Sequence, residues 1–422
     1  MENSLNFLIE VNKLKEIPRT GWVSRGVKNP ETIADHTFRI AFAAWLLSCG
    51  KKLNAKRMLK IAISHDLCEI YAGDNTPFFY YQNLDKKKIK NKEVFLKWVR
   101  LSRREKEKRS RHKFNIEKKS MLRLVASLRP GIKNEIFSAW LDFENKLSRE
   151  GRFVRQVDRI ETLLQAIEYL GVKKNIAGTA WWEEIEEIIE DPMLISFLHI
   201  IQNKFYKKHF PRDKKLENIL DFLISIGQLK RMSRLYWTLR GVKRPETVAG
   251  HIFTLSLMTL IFGKEKRQLD MGKLLKMALC HEITAVYTKD TVPYYENLPK
   301  DKEKRKEIFK TLPRLAKGAK MRKFAQDYKL EGKAIRKVVA KLEPATRKEI
   351  VQLWEEYRNR SSLEGNLLSQ LNVIAVLLQA LLYKKENKNF SVQAVWEWAF
   401  EICDDVVCCK LLDEIKKNSS YI

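Results

Sequence analysis

Along residues 157–170 the apolar positions Val157, Ile160, Leu163, Leu164, Ile167 and Leu170 recur at helical spacing. Asp158, Thr162, Gln165 and Tyr169 run beside them as a polar stripe, at steps of four, three and four. Residues 37–47 and 57–71 have similar apolar density and no glycine. Alternation of period two extends nowhere far enough to make a strand. The pattern predicts an all-α protein built of helical bundles.

The pattern is also written twice. Residues 14–36, LKEIPRTGWVSRGVKNPETIADH, align without a gap on residues 229–251, LKRMSRLYWTLRGVKRPETVAGH, with 13 of 23 positions identical. The match runs back to pair Glu2–Ile9 with Glu217–Ile224, and forward to pair Leu59–Asp66 with Leu275–Glu282. Later, QVDRI at 156–160 returns as QLNVI at 370–374, each followed closely by LLQA. A fixed long-range repeat of this kind marks tandem copies of one structural unit. Two domains are expected, 1–212 and 213–422, with the seam near Pro211-Arg212-Asp213.

Composition sharpens this picture. Glycine and proline supply 27 of the 422 residues, about 6% against roughly 12% in average usage, too few for the tight turns of a sheet protein. A hydrophobic share of 45% can fill real cores and excludes global disorder. The longest wholly apolar run, 40–47, falls well short of the ~20 residues of a membrane span, so no membrane partner is expected. Met1 to Leu5 lacks a basic stretch before an apolar core, so no secretory signal is expected. The six cysteines form no CxxC pair and no zinc-spaced cluster, which predicts free thiols in a reducing cytoplasm.

His36, the doublet His65-Asp66 and the distant Asp158 stand on predicted helices in the first copy. Imidazole and carboxylate together suit a divalent ion such as Mn, Co, Fe, Zn or Mg, leaving positions open for water and phosphate. His65 and Glu69 are four apart, which on one continuous helix gives them a shared face and places Glu69 to shuttle a proton. Asp74 follows in the turn-type sequence AGDNTP at 72–77.

In that order, H…HD…D, these residues resemble the HD-domain metal-dependent phosphohydrolases. The stretch PRTGWVSRGV at 18–27, then PETIADH at 30–36 and HDLCEIYAGD at 65–74, looks like the 5′-deoxynucleotidase branch. The resemblance covers most of residues 5–80 and again about 150–170. It implies one divalent metal ion on His36, His65, Asp66 and Asp158, and Glu69 as the acid, base or water-orienting group. It further implies that Arg19, Trp22 and Asp74 contact phosphate, base and sugar, with Asp74 counted beside Glu69 in the catalytic set. The expected activity is phosphate release from nucleoside 5′-monophosphates, deoxy forms included.

The second copy keeps Arg234, Trp237, His251, His281 and Asp290. It changes Asp66 to Glu282, Glu69 to Ala285 and Asp158 to Asn372. It is expected to be degenerate, and to serve the first copy as a permanent pseudo-dimer partner within one chain.

Lys and Arg number 81 against 52 Asp and Glu, a net charge of +29. Two stretches supply 23 of those charges: residues 85–123, with 17 basic and 5 acidic residues, and residues 300–341, with 16 and 5. Both look enlarged beside the family's usual short connection. They read either as solvated faces that steer small anions or as nucleic-acid footprints, without a recognisable nucleic-acid-binding fold signature. The alternative function is therefore a nucleic-acid-binding or scaffold protein with vestigial metal motifs. A further alternative is a phosphohydrolase acting on another nucleotide or on a nucleic-acid end.

Overall fold

The computed structural model describes residues 2–74, 102–171, 182, 185–186, 188–291, 299–301, 304–305, 307–308 and 317–419. Among them there is no strand; the extended pairings are isolated bridges, Pro18 with Thr32 and Ser233 with Thr247. The fold is all-α, as the hydrophobic period predicts.

The chain forms two compact units. One holds residues 13–221. The other holds residues 222–422 together with the first helix, Glu2–Asn12. This differs from the division at 212/213 suggested by the repeat, because Glu2–Asn12 packs on the second unit's helices Val248–Phe262 and Val406–Asn418.

In the first unit the helix Ile33–Leu47 is buried along its whole length; Ala55–Ser64 and Arg149–Leu170 pack on it, and Pro130–Asn145 packs on those two. Its start is fixed by a capping box: the Thr32 hydroxyl accepts from the Asp35 amide, and Asp35 accepts from the Thr32 amide. Asn54 caps Ala55–Ser64 and Ser148 caps Arg149–Leu170 by the same logic. Gly151 sits in the first turn of the latter helix, where any Cβ would lie 2.6 Å from the Asp142 carbonyl oxygen. Only glycine lets this helix start so close to its predecessor, and this helix carries Asp158.

The second unit repeats the plan with Val248–Phe262, Met271–Cys280, Pro344–Asn359 and Leu363–Glu386. Leu363–Glu386 is long and apolar enough to cross a membrane by length and composition, but 83% of its most apolar window is buried inside the protein. Such burial is what the central helix of a bundle shows.

The basic stretches are only partly described, since residues 75–101 and most of 302–316 lie outside the described residues. What is described of the first is the helix Arg103–Leu124, which packs on the short helix Glu69–Ala72. Glu117, Ser120, Met121 and Leu124 are buried there. The Ser120 hydroxyl donates to the Cys68 carbonyl. Lys317–Val338 packs in the same way on Ala285–Thr288. One side of each basic helix is thus integral to the core, and its charges crowd the remaining sides.

Candidate metal centre

The loop 17–32 is stitched to the start of Ile33–Leu47, because the Arg19 amide donates to the Glu31 carbonyl and the Ile33 amide to the Ile17 carbonyl. This brings Arg19 against the His65-Asp66 segment. The Asp74 carboxylate accepts from the Thr20 amide at 2.6 Å and lies 3.8 Å from Arg19 Nε, so it braces the same loop.

The helix expected across 57–71 is broken. Ala55–Ser64 ends at His65, residues 65–68 form turns, and a new single-turn helix covers Glu69–Ala72. Bonds to the residue three back replace those to the residue four back: Leu67 amide to Ser64 carbonyl, Ile70 to Leu67, Tyr71 to Cys68. His65 and Glu69 therefore do not share the face of one continuous helix. Glu69 reaches the site by a different route, with Oε2 3.9 Å from Arg19 Nη1.

His36, His65 and Asp66 each aim a donor atom into one space, all within 4.8 Å of one another. His65 donates its Nδ1 hydrogen to the Ala62 carbonyl at 2.7 Å, which leaves the Nε2 lone pair facing inward. That buried nitrogen has no hydrogen-bond partner, although Asp66 Oδ2 stands 3.1 Å away. His36 Nε2 lies 3.0 Å from Asp158 Oδ1 and 4.0 Å from Asp66 Oδ2. An orphaned imidazole nitrogen beside two carboxylates and a second imidazole is the donor set of a divalent ion, so these residues fit the implied metal.

Electrostatics point the same way. Burial works against ionisation of Asp66, yet His65, Arg19 and His36 hold it well below the usual carboxylate range. Asp158 is likewise held low against its burial, chiefly by the hydrogen bond with His36. Burial and Arg19 would each lower His36, but Glu161 and Asp158 together raise it to about 9. Glu69 goes the other way: burial, then Asp66 and Asp74, push its carboxyl well above the usual range, and its Oε2 has no hydrogen-bond partner. Such surroundings favour the protonated form.

Trp22 is not an open platform. It is 3% exposed, its indole N–H donates to Glu31 Oε1 at 2.9 Å, and its ring meets Tyr169 edge-on at 5.5 Å. The Glu31 amide in turn donates to the Tyr169 hydroxyl. The expected face for a base or sugar is thus covered, and Trp22 anchors the Arg19 loop to the Asp158 helix.

A layer behind the donors is missing from the sequence reading. Glu161 Oε2 meets His36 Nδ1 at 2.5 Å, and Glu161 Oε1 accepts from Arg39 Nε at 2.8 Å. Arg39 is fully buried and also donates to Gln165 and Glu168. A carboxylate on the far nitrogen of a ligating histidine sets its tautomer and ring orientation. The signal was present: Glu161 and Arg39 each lie three residues beyond a candidate ligand, one turn along the same side of its helix.

The second unit has the same scaffold. His281 Nδ1 donates to the Ala278 carbonyl, the Leu235 amide donates to Asp290, and Trp237 donates to Glu246. His251, His281 and Glu282 again lie within 4.8 Å of one another.

Comparison with known proteins agrees with this layout. The HD-domain family matches residues 11–193 and again 226–399. Among curated proteins, 5′-deoxynucleotidase HDDC2 of Danio rerio is 32% identical over 169 residues, covering 40% of this chain and 70% of its own. The human protein of that name is 33% identical over 165 residues, covering 39% and 67%. The 5′-deoxynucleotidase hdd1 of Schizosaccharomyces pombe is 28% identical over 218 residues, covering 50% and 94%. With the family spanning most of its length in two matches, the chain belongs to the HD-domain family as a tandem duplication.

Proposed function

We propose that this chain is a metal-dependent phosphohydrolase that releases phosphate from nucleoside 5′-monophosphates, deoxy forms included, with its active site in the first unit. The observation that carries the reading is the unpartnered His65 Nε2, buried beside His36, Asp66 and Asp158 and within reach of the Arg19 cation. The curated relatives described above, each a 5′-deoxynucleotidase, support the substrate class.

His36, His65, Asp66 and Asp158 would hold the ion. A divalent ion in such a site supplies Lewis acidity and brings the pKa of water down from 15.7 toward ~7, which makes a nucleophile available at neutral pH. The remaining work falls to the protein. Arg19, placed among Asp66, Glu69 and Asp74, is the buried cation that can turn to the phosphate as negative charge builds on its oxygens. Glu69, whose burial and acidic neighbours Asp66 and Asp74 favour its protonated form, is placed to give a proton to the departing 5′-oxygen. Glu161 and Arg39 keep the His36 ring from rotating. The basic sides of Arg103–Leu124 would raise the local concentration of an anionic nucleotide.

Placement in the first unit is tested by a pair of variants. His65→Ala should bring phosphate release down to the uncatalysed background, while His281→Ala should leave kcat within about twofold. Equal losses from the two would show that both units are needed and would remove the assignment.

A further inference from the structure

The second unit keeps three converging donors, yet its fourth position and its supporting layer have changed in concert. Asn372 stands where the first unit has Asp158, Ala375 where it has Glu161, and Tyr357 where it has Phe143. In the first unit Phe143 offers His65 only a ring, at 5.0 Å between centroids. Tyr357 packs on His281 edge-on at 5.4 Å and adds a hydroxyl. That hydroxyl accepts from Asn372 Nδ2 at 2.8 Å, and Asn372 Oδ1 lies 2.7 Å from His251 Nε2. With its nitrogen committed to Tyr357, the amide oxygen faces the ring and can only accept, so His251 carries its hydrogen on Nε2. Turning the amide round would leave Nε2 hydrogen-bonded all the same.

We infer that the second unit's counterpart of the metal centre is closed to metal by the chain Tyr357–Asn372–His251, so that the protein holds one ion, in the first unit. In that unit His36 Nε2 also has a partner, Asp158 Oδ1 at 3.0 Å, but that partner is a carboxylate that can itself bind an ion, and Glu161 on Nδ1 can hold the ring hydrogen there when Nε2 turns to the ion. In the second, Ala375 offers no acceptor, and Glu246 Oε1 stands 3.7 Å from His251 Nδ1, too far for a hydrogen bond. The ring therefore presents the wrong nitrogen chemistry to an ion.

Charge changes with it. Four acidic side chains act on Arg19 in the first unit, Asp66, Glu69, Asp74 and Asp158; on Arg234, among the described residues, the acidic side chains are Asp290, Glu282 and Glu246. Glu282 Oε1 already has Arg234 Nη1 at 3.1 Å. An ion entering here would have to break the Tyr357–Asn372 bond and reverse the His251 tautomer, with a neutral amide as its fourth neighbour. His281 Nε2 has no hydrogen-bond partner, as in the first unit, but a single free imidazole is a poor ion site.

This inference rests on the reading that the first unit's four residues hold the ion, and the test separates the two. The full-length chain is stripped of metal, equilibrated with Mn(II), desalted and assayed for manganese per chain, with Mn(II) electron paramagnetic resonance as a second readout. One ion per chain is expected in the wild type and in His281→Ala, and none in His65→Ala. The variants Asn372→Asp with Tyr357→Phe, and the same pair with Ala375→Glu, should rise to two ions, their folding checked by circular dichroism. Two ions in the wild type, with one lost in His281→Ala, would overturn the inference, as would folded variants that both stay at one. A wild type without manganese would contradict the reading of the first unit instead, and a restored variant that gains an ion would still uphold the closure.

Discussion

Asp66→Ala should cost the first unit its ion and bring phosphate release to the uncatalysed background. Asp66 Oδ2 is the oxygen at which the local charges meet, 3.1 Å from His65 Nε2, 2.9 Å from Arg19 Nη1 and 4.0 Å from His36 Nε2. Its removal deletes an anionic donor, and a hard divalent ion depends on such donors for affinity. It also leaves Arg19, largely buried, with one fewer counter-charge, so repulsion replaces attraction where the ion would sit. Manganese binding and phosphate release, measured on the same folded preparation, should fall together. Unchanged stoichiometry would remove Asp66 from the ligand set.

The second large effect concerns Glu69. Glu69→Gln keeps the shape and the hydrogen-bonding size of the side chain but removes the transferable proton. Turnover should drop by about 10²–10⁴, the range for a lost general acid or base, or roughly 3–5 kcal/mol in the barrier. Metal content should not change, because Glu69 contributes no donor to the converging set. The two readouts thus separate proton transfer from metal binding. If turnover stays within a few-fold of wild type, Glu69 is a packing residue under the Arg103–Leu124 helix and nothing more.

Much of this molecule is legible without coordinates, for identifiable reasons. The helical period at Val157, Ile160, Leu163, Leu164 and Ile167 is real because those side chains are all buried in the bundle. The repeat, read from 13 identities in 23 positions, survives as two units with the same order of helices. The meeting of His36, His65 and Asp66 was readable because a motif in order, H…HD…D, is a statement about which side chains must meet.

What escaped the sequence is equally physical. The break at 65–68 depends on a change from four-residue to three-residue hydrogen bonds, which no hydrophobic spacing records. Trp22 looks like a binding surface in sequence and is an anchor in space, because its N–H found Glu31 and its face found Tyr169. Repeat spacing cannot say which unit a terminal helix joins, since Glu2–Ile9 carries the same apolar pattern as Glu217–Ile224. Tyr357 lies on a helix without any motif residue, so its hydroxyl acquires meaning only once Asn372 is seen beside it. The loss of two acidic groups in the second copy was readable from Asn372 and Ala285 alone; the Tyr357–Asn372–His251 chain was not.

The central claim is that the chain hydrolyses nucleoside 5′-monophosphates with a divalent ion. The direct measurement is inorganic phosphate released by metal-stripped protein resupplied separately with Mn, Co and Mg. The substrate panel holds ribo- and deoxyribonucleoside 5′-monophosphates, the matching 3′-monophosphates and the 5′-triphosphates. Release from 5′-monophosphates, dependent on added ion and absent in His65→Ala, is the predicted result. No release from any 5′-monophosphate with any of the three ions, or equal release with and without them, would contradict it.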